Sequence, residues 1–395
     1  MIPISTVRFG PEHEKQVLEV LRSGHLAQGK KVAEFEALCA EMAGTRAAVA
    51  VNSGTAALVL ALRVLGVGPG DEVITSPFTF AATLNAILEV GATARFGDID
   101  DTFNLDPSSV EPLINSSTKV LMPVHLYGRA AQMDAFSNIA ASHELQIVED
   151  AAQAHFAATE TGQAVGSFGL GCFSFYATKN LTSGEGGVIT VDDPEIEESM
   201  RTLRNQGMRQ RYQYEVPGYN LRLTDLAASI ALPQFGQAKK MLNHRYQNAL
   251  QLSEGLSEIQ GLTTPNIPDP QTHVWHQYTV VLDSSAKINR EEFAETLTEA
   301  EIGYGFYYPR TVYDYDCYRS HPRVIIDGSP SAEKAASSVI SLPVHPHLST
   351  ADIEYIVDTT TAVLKVQNLQ EKRIRPDLLG PVLQMPRCYP TNPLG

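Results

Sequence analysis

Short apolar strands alternate with amphipathic helices through the first 150 residues, and this alternation leaves the chain few folds to choose from. Ala47–Val51 precedes a small-residue turn and an apolar helix starting near Leu58, and Glu72–Thr75 precedes a helix over Thr83–Val90. Lys119–Met122 precedes one over Ala131–Glu144, and Leu145–Val148 runs into Asp150. A helix from residue 30, with Val32, Phe35, Leu38 and Met42 on one face, leads into the series. Strands buried on both faces read as continuous apolar runs, and parallel neighbours need long, usually helical, crossovers. The prediction is an α/β fold with a largely parallel sheet covered by helices on both faces. Ligands in such sheets gather beyond the carboxyl ends of the strands.

Further along, Thr224-Asp225 reads as a helix N-cap, and apolar spacing from Leu226 to Leu250 predicts one long helix, straight or kinked, that runs past Pro233 and Gly236 and leaves the first domain. A strand over Gln277–Leu282 and helices over Arg290–Ala300 and Thr350–Leu364 then predict a smaller C-terminal α/β domain. A chain of 395 residues exceeds what one core usually serves. The expected division is a large domain over 1–245, a small one over 246–366, and a tail over 367–395. That tail is read as extended because Arg373–Gly395 holds five prolines and little periodicity. A formal charge of −15 argues against a general nucleic-acid or anionic-membrane surface. Four cysteines at 39, 172, 317 and 388 form no Cys-x-x-Cys pair, so neither a disulfide framework nor a zinc site is expected. The start, Met1-Ile-Pro-Ile-Ser-Thr, lacks a signal-peptide pattern, and no stretch approaches the roughly 20 apolar residues of a membrane span; a cytoplasmic location is expected. His345-Pro-His347 and His273/His276 lack ordered carboxylate company, so no catalytic metal is expected.

Three stretches carry chemistry. Asn52-Ser53-Gly54-Thr55 follows a strand and opens a helix, where free amides and the dipole suit a phosphate, although Ser53 or Thr55 would equally serve as a cap. Asp150 ends an apolar strand and could either cap the next helix or hold positive charge on a heterocycle. Lys179 follows Phe173, Phe175 and Tyr176 and precedes Gly184, Gly186 and Gly187, surroundings that suit a partly desolvated amine of lowered pKa. Ser174 could donate to the same phosphate, and Phe80 could stack on a flat ring. A carbonyl cofactor such as pyridoxal phosphate needs these parts: an amine, a carboxylate for its ring nitrogen, and anion donors.

In order along the chain, the stretches resemble those of the DegT and StrS family of pyridoxal-phosphate-dependent sugar aminotransferases. The resemblance rests on Ser53-Gly-Thr-Ala56, Pro123-Val-His-Leu-Tyr-Gly128, Glu149-Asp-Ala-Ala-Gln-Ala-His155, Phe173-Ser-Phe-Tyr-Ala-Thr-Lys-Asn180, Gly184-Glu-Gly-Gly187, Gly218-Tyr-Asn220, His276-Gln-Tyr278 and Ser341-Leu-Pro343. It implies an aspartate-aminotransferase-like, type I fold. Lys179 would be the Schiff-base residue, Asp150 would face the pyridine nitrogen, Phe80 would stack on the ring and Gln153 would lie near the ring hydroxyl. Phosphate would be held by Ser53, Gly54, Thr55 and Ser174, and by Asn220 of a neighbouring subunit, which makes a homodimer with shared sites the expected partner state. Substrate-side residues are expected at His155, Glu185, Arg222 and Tyr308.

Departures fall on Phe156, where members often carry glycine, on Arg129, where they often carry glutamine, and on Tyr307-Tyr308-Pro309 with Thr311-Val312-Tyr313. The implied reaction is amino transfer from glutamate to a keto sugar, most simply one linked to a nucleotide. Arg204, Arg209, Arg211 and Arg222 could meet its diphosphate or simply be solvated. An aminocyclitol ketone is the alternative acceptor. Relatives that act as sugar dehydratases replace the lysine by histidine, whereas position 179 is lysine. A non-catalytic regulator that kept the fold is the third reading.

Overall fold

The computed structural model describes residues 1–268 and 270–370. Seven strands, β1 (Ala47–Val51), β2 (Glu72–Thr75), β3 (Thr93–Phe96), β4 (Thr118–Met122), β5 (Gln146–Asp150), β6 (Leu170–Ser174) and β7 (Gly187–Val191), join Val324–Ile325 in one sheet. The order is β1-β7-β6-β5-β4-β2-β3 and then Val324–Ile325. Every pairing is parallel except those that β7 makes with β1 and β6. Because β7 runs against both neighbours, β1 and β6 run the same way. The carboxyl ends of β1, β2, β4, β5 and β6 therefore share one edge with the start of β7.

The helices in chain order are α1 (Pro11–Ser23), α2 (Lys30–Ala43), α3 (Gly54–Val64), α4 (Ala81–Glu89), α5 (Met133–His143), α6 (Pro194–Arg204), α7 (Asp225–Phe235) and α8 (Ala238–Leu256). Alternation along the strands assigns them to two faces. Val49 and Val51 of β1, with Val120 and Met122 of β4, pack against α3 and α4; Ala48 and Ala50 face α2 and α7, and Leu121 faces α5. A sheet buried on both sides is the reason its strands are continuous apolar runs. Beneath α2, Glu36 accepts bonds from the Ala50 amide at 2.8 Å, Arg201 at 2.8 Å and Arg204 at 2.6 Å. Removing one partner from such a buried cluster typically costs about 3–5 kcal/mol.

The long helix expected over 226–250 is two helices. Pro233 cannot donate to the preceding turn and Gly236 weakens the next, so α7 stops at Phe235 and α8 restarts at Ala238. Nineteen residues give α8 a length of about 28 Å. Its first turns lie against the large sheet through Ala238 and Leu242; its last bring Ala249, Leu252 and Leu256 to a second core. There a three-stranded antiparallel sheet, Leu262–Thr263, Tyr278–Leu282 and Val339–Leu342, packs on the helices Arg290–Glu299 and Thr350–Gln370. Residues 307–325 return to the first unit, where Val312 and Tyr313 join its core and Val324 pairs with Ala94. The final helix runs to Gln370, so 367–370 are helical, and the rest of the expected tail lies outside the described residues.

Candidate active site

The sheet edge that collects the strand ends also collects the residues singled out above. Asp150 closes β5 and is 5% exposed. Its Oδ2 accepts from the Thr83 hydroxyl at 2.7 Å and its Oδ1 from the Ala152 amide at 3.2 Å. Burial raises its pKa, against the opposing pull of those two bonds and of the nearby Lys179 amine. Lys179, in the loop after β6, is half-buried. Burial lowers its pKa to about 8, and Asp150 pulls in the opposite direction. Sequence reasoning located this pair; it did not locate Thr83, one turn after Thr79, whose hydroxyl lies 2.8 Å from that of Thr83.

The neighbouring strand ends form a cup. Gly187 of β7 pairs with Val51 on one side and Ser174 on the other. A side chain there would meet the Ser53 carbonyl at 2.1 Å, and one on Gly54 would meet Ser174 Cβ at 2.7 Å. Glycine at both positions is what lets α3 start directly beside the end of β6. Ser53 caps α3 by accepting from the Ala56 amide at 3.1 Å, so the cap role left open above is real for Ser53. The Gly54 and Thr55 amides lie in the first turn, where a helix supplies no partner of its own. Ser174 Oγ accepts from the Tyr176 amide at 3.4 Å, leaving its proton to donate outward.

On the other side, Gln153 is spoken for at both ends: Oε1 accepts from the Tyr127 amide at 2.7 Å and Nε2 donates to the Tyr308 hydroxyl at 3.1 Å. Phe80, at the cap of α4, leaves 61% of its surface exposed and lies 6.1 Å from the Tyr308 ring. His125 and Glu149, both fully buried, underpin the Asp150 strand. His125 Nδ1 accepts from the Ala131 amide, so its Nε2 carries the proton and donates to Glu149 at 3.0 Å. Glu149 also takes the Gly166 and Phe168 amides at 2.8 and 2.9 Å. The motifs containing these two residues were visible in the sequence; their pairing was not.

Of the expected substrate residues, Tyr308 faces Phe80, whereas Glu185 and Asn220 are exposed. His155 is fully buried behind the lysine loop, 4.7 Å from the Phe175 ring, and burial lowers its pKa to about 3 with Lys179 adding to the shift. Three of the four arginines, Arg204, Arg209 and Arg222, come together with Arg201 along one polar cleft, whereas Arg211 lies over the Tyr212 ring. Arg204 is 2% exposed on Glu36, and Arg209 lies 3.3 and 3.2 Å from Glu198 and Glu215. Arg222 also donates to Asn205 at 2.9 Å, and the cleft these arginines share has a volume of about 430 Å³ with Gln28 on its wall. Phe156 has a left-handed backbone, φ 66°, and its ring packs on Phe235, against the core beneath α2 and α7. Glycine would suit that backbone, and in this chain the partly buried ring packs against the core beside Phe235.

Comparison with known proteins gives the chain's relatives. The DegT/DnrJ/EryC1/StrS aminotransferase family model matches residues 8–361. The chain is 38% identical over 381 residues to the spore coat polysaccharide biosynthesis protein SpsC of Bacillus subtilis, covering 92% of this chain and 97% of that one. It is 38% identical over 341 residues to a UDP-N-acetyl-3-dehydro-alpha-D-glucosamine 3-aminotransferase of Acidithiobacillus ferrooxidans, covering 86% and 90%. The PLP-form structure of the putative sugar aminotransferase Spr1654 from Streptococcus pneumoniae superposes with a TM-score of 0.86 at 29% identity, over 92% of this chain and 99% of that one.

Proposed function

This chain belongs to the DegT/DnrJ/EryC1/StrS aminotransferase family, and we propose that it transfers an amino group from glutamate to the ketone of a nucleotide-linked sugar, using pyridoxal 5'-phosphate. The observation that carries the reading is the shared edge. Asp150 ends β5 and Lys179 follows the adjacent strand β6, and a cup closed to side chains at Gly54 and Gly187 lies beside them. The donor set fits the cofactor: one amine, one acidic group, and amides with a hydroxyl for a phosphate.

When bound, the cofactor supplies an aldehyde for amines and a ring that accepts the electron pair left on the substrate carbon. The protein's part is positional and protonic. Gly54 and Thr55 amides with the Ser174 hydroxyl would hold the phosphate, and the exposed face of Phe80 would cover the ring. Asp150, oriented by Thr83 and Ala152, would keep a proton on the ring nitrogen. Gln153, fixed by Tyr127 and Tyr308, would meet the ring hydroxyl. Lys179 Nζ titrates close to pH 8, so near neutrality it can both take a proton from the substrate carbon and return one.

A homodimer with shared sites belongs to this reading. Asn220 is exposed in the single chain, close to the exposed Tyr212, Tyr214 and Val216, an apolar group suited to a partner. The reading keeps residues 1–245 as the cofactor unit and 246–366 as the smaller one, supported by the second core around Leu252, Tyr278 and Ile340, although residues 307–325 pack back on the first unit. It places the enzyme in the cytoplasm, where the unpaired Cys39, Cys172 and Cys317 suit a reducing medium. His155, Glu185, Arg222 and Tyr308 stay as substrate-side residues, Tyr308 supported most by its place opposite Phe80.

The test is 2-oxoglutarate release from glutamate with a panel of nucleotide-linked keto sugars. Amination of an inositol ketone alone would give the acceptor as a cyclitol. A cofactor-loaded protein inert toward every ketone would overturn the reading. Mixing Lys179→Ala with Asn220→Ala protein should restore some turnover, because a mixed dimer holds one intact site; no recovery would refute site sharing.

A further inference from the structure

Two side-chain carboxamides hold the loop that carries Lys179. Gln234, on α7 and 7% exposed, meets Thr182 twice, accepting from its amide at 3.1 Å and donating to its carbonyl at 2.7 Å. Asn180, 8% exposed, reaches the opposite way. Its Nδ2 donates to the Val274 carbonyl at 3.0 Å, and its Oδ1 lies 3.3 Å from His276 Nδ1. With the amide nitrogen committed to a carbonyl, the oxygen must face the imidazole. His276 Nδ1 therefore carries the proton and donates it.

Residues 274–276 lead straight into the strand Tyr278–Leu282 of the second core. The residue next to Lys179 is thus bonded to the entrance of the other unit, across 94 and 96 positions of sequence. Both clamps act on the residues just after Lys179, at 180 and 182, and tie them to two different packed elements. The groups facing the amine are Asp150, which favours its charge, and His155 and His276, whose burial lowers their own pKa values and keeps them neutral.

We propose that Asn180 is a positioning residue for Lys179: by clamping the lysine loop to residues 274–276, it fixes the direction of the amine and keeps water away from it. This rests on the reading of Lys179 as the cofactor anchor. A loosened loop admits water to Nζ, and hydration favours the charged form.

The experiment reads the amine in cofactor-free protein. Lys179 is acylated across a pH series and the modified site is quantified by mass spectrometry; cofactor affinity is measured separately by absorbance. In the parent protein the midpoint should fall near pH 8. In Asn180→Ser it should rise by about one pH unit, which leaves roughly tenfold less free amine below the midpoint. Cofactor affinity should fall about tenfold with it. Asn248→Ala is the control for lost stability, since Asn248 makes a similar buried bond to the His345 carbonyl at 2.9 Å in the second core; it should leave the midpoint unmoved. His276→Asn, which keeps an N–H donor near Nδ1, should behave like the parent, whereas His276→Ala should behave like Asn180→Ser. A parent-like midpoint and affinity in Asn180→Ser, or equal shifts in Asn248→Ala, overturn the proposal. Borohydride trapping of the cofactor on another lysine overturns the reading beneath it, whereas trapping on Lys179 with an unmoved midpoint overturns the proposal alone.

Discussion

Replacing Lys179 by methionine should make the cofactor-free protein more stable at neutral pH while abolishing covalent cofactor attachment. The lysine amine titrates near 10.5 in an unfolded chain and near 8 in the folded one, because burial disfavours its charge. The unfolded state therefore binds the proton more tightly. Below pH 8 the fold bears the full penalty, and above 10.5 it bears none. A difference of 2.5 units at 1.36 kcal/mol each sets an upper limit of about 3.4 kcal/mol. Nζ is only partly screened from water, and in the variant Asp150 loses a favourable cation, so the expected gain is about 1–2 kcal/mol. Urea unfolding of cofactor-free parent and variant at pH 7, 8, 9 and 10 measures it. The variant's advantage should be largest at pH 7 and shrink steadily toward pH 10. A variant that is less stable at pH 7, or an advantage that ignores pH, would refute the claim that the amine is held desolvated.

The other consequences concern backbone and packing. Gly54→Ala places a methyl 2.7 Å from Ser174 Cβ, so it should cost about 1–3 kcal/mol in melting experiments and weaken phosphate-dependent cofactor binding; unchanged affinity would mean the cup is not the phosphate site. At Phe156, φ 66° favours glycine over alanine. Phe156→Gly should therefore be more stable than Phe156→Ala by about 1 kcal/mol, although both lose the ring contact with Phe235. The opposite order in denaturant titrations would show that the left-handed backbone is not strained.

Much of the fold lies in short windows of sequence. The strand Ala47–Val51 and the strand Glu72–Thr75 have the bounds their apolar runs predicted, and the helices between strands follow to within a few residues. The lysine stretch and the acidic strand end were readable for the same reason: each is a local arrangement of residue types whose chemistry has few other uses. The break between α7 and α8 is half-visible in the sequence: Pro233 and Gly236 mark the weak turns, but only packing decides whether a helix bends there or stops.

What the sequence determined by itself is periodicity and local turn chemistry, because those act between residues a few positions apart. Tertiary structure alone decided which strand ends meet. Inserting β7 antiparallel between β1 and β6 brings Gly54 against Ser174, 120 positions later (174 − 54). The same packing sends Arg204 to Glu36 across 168 positions, Thr83 to Asp150 across 67, and Asn180 to Val274 across 94. Such contacts depend on strand order and on how whole helices dock. No window of neighbouring residues encodes either, so Arg204 was taken up by Glu36 and a threonine absent from the expected site became a partner of its acid.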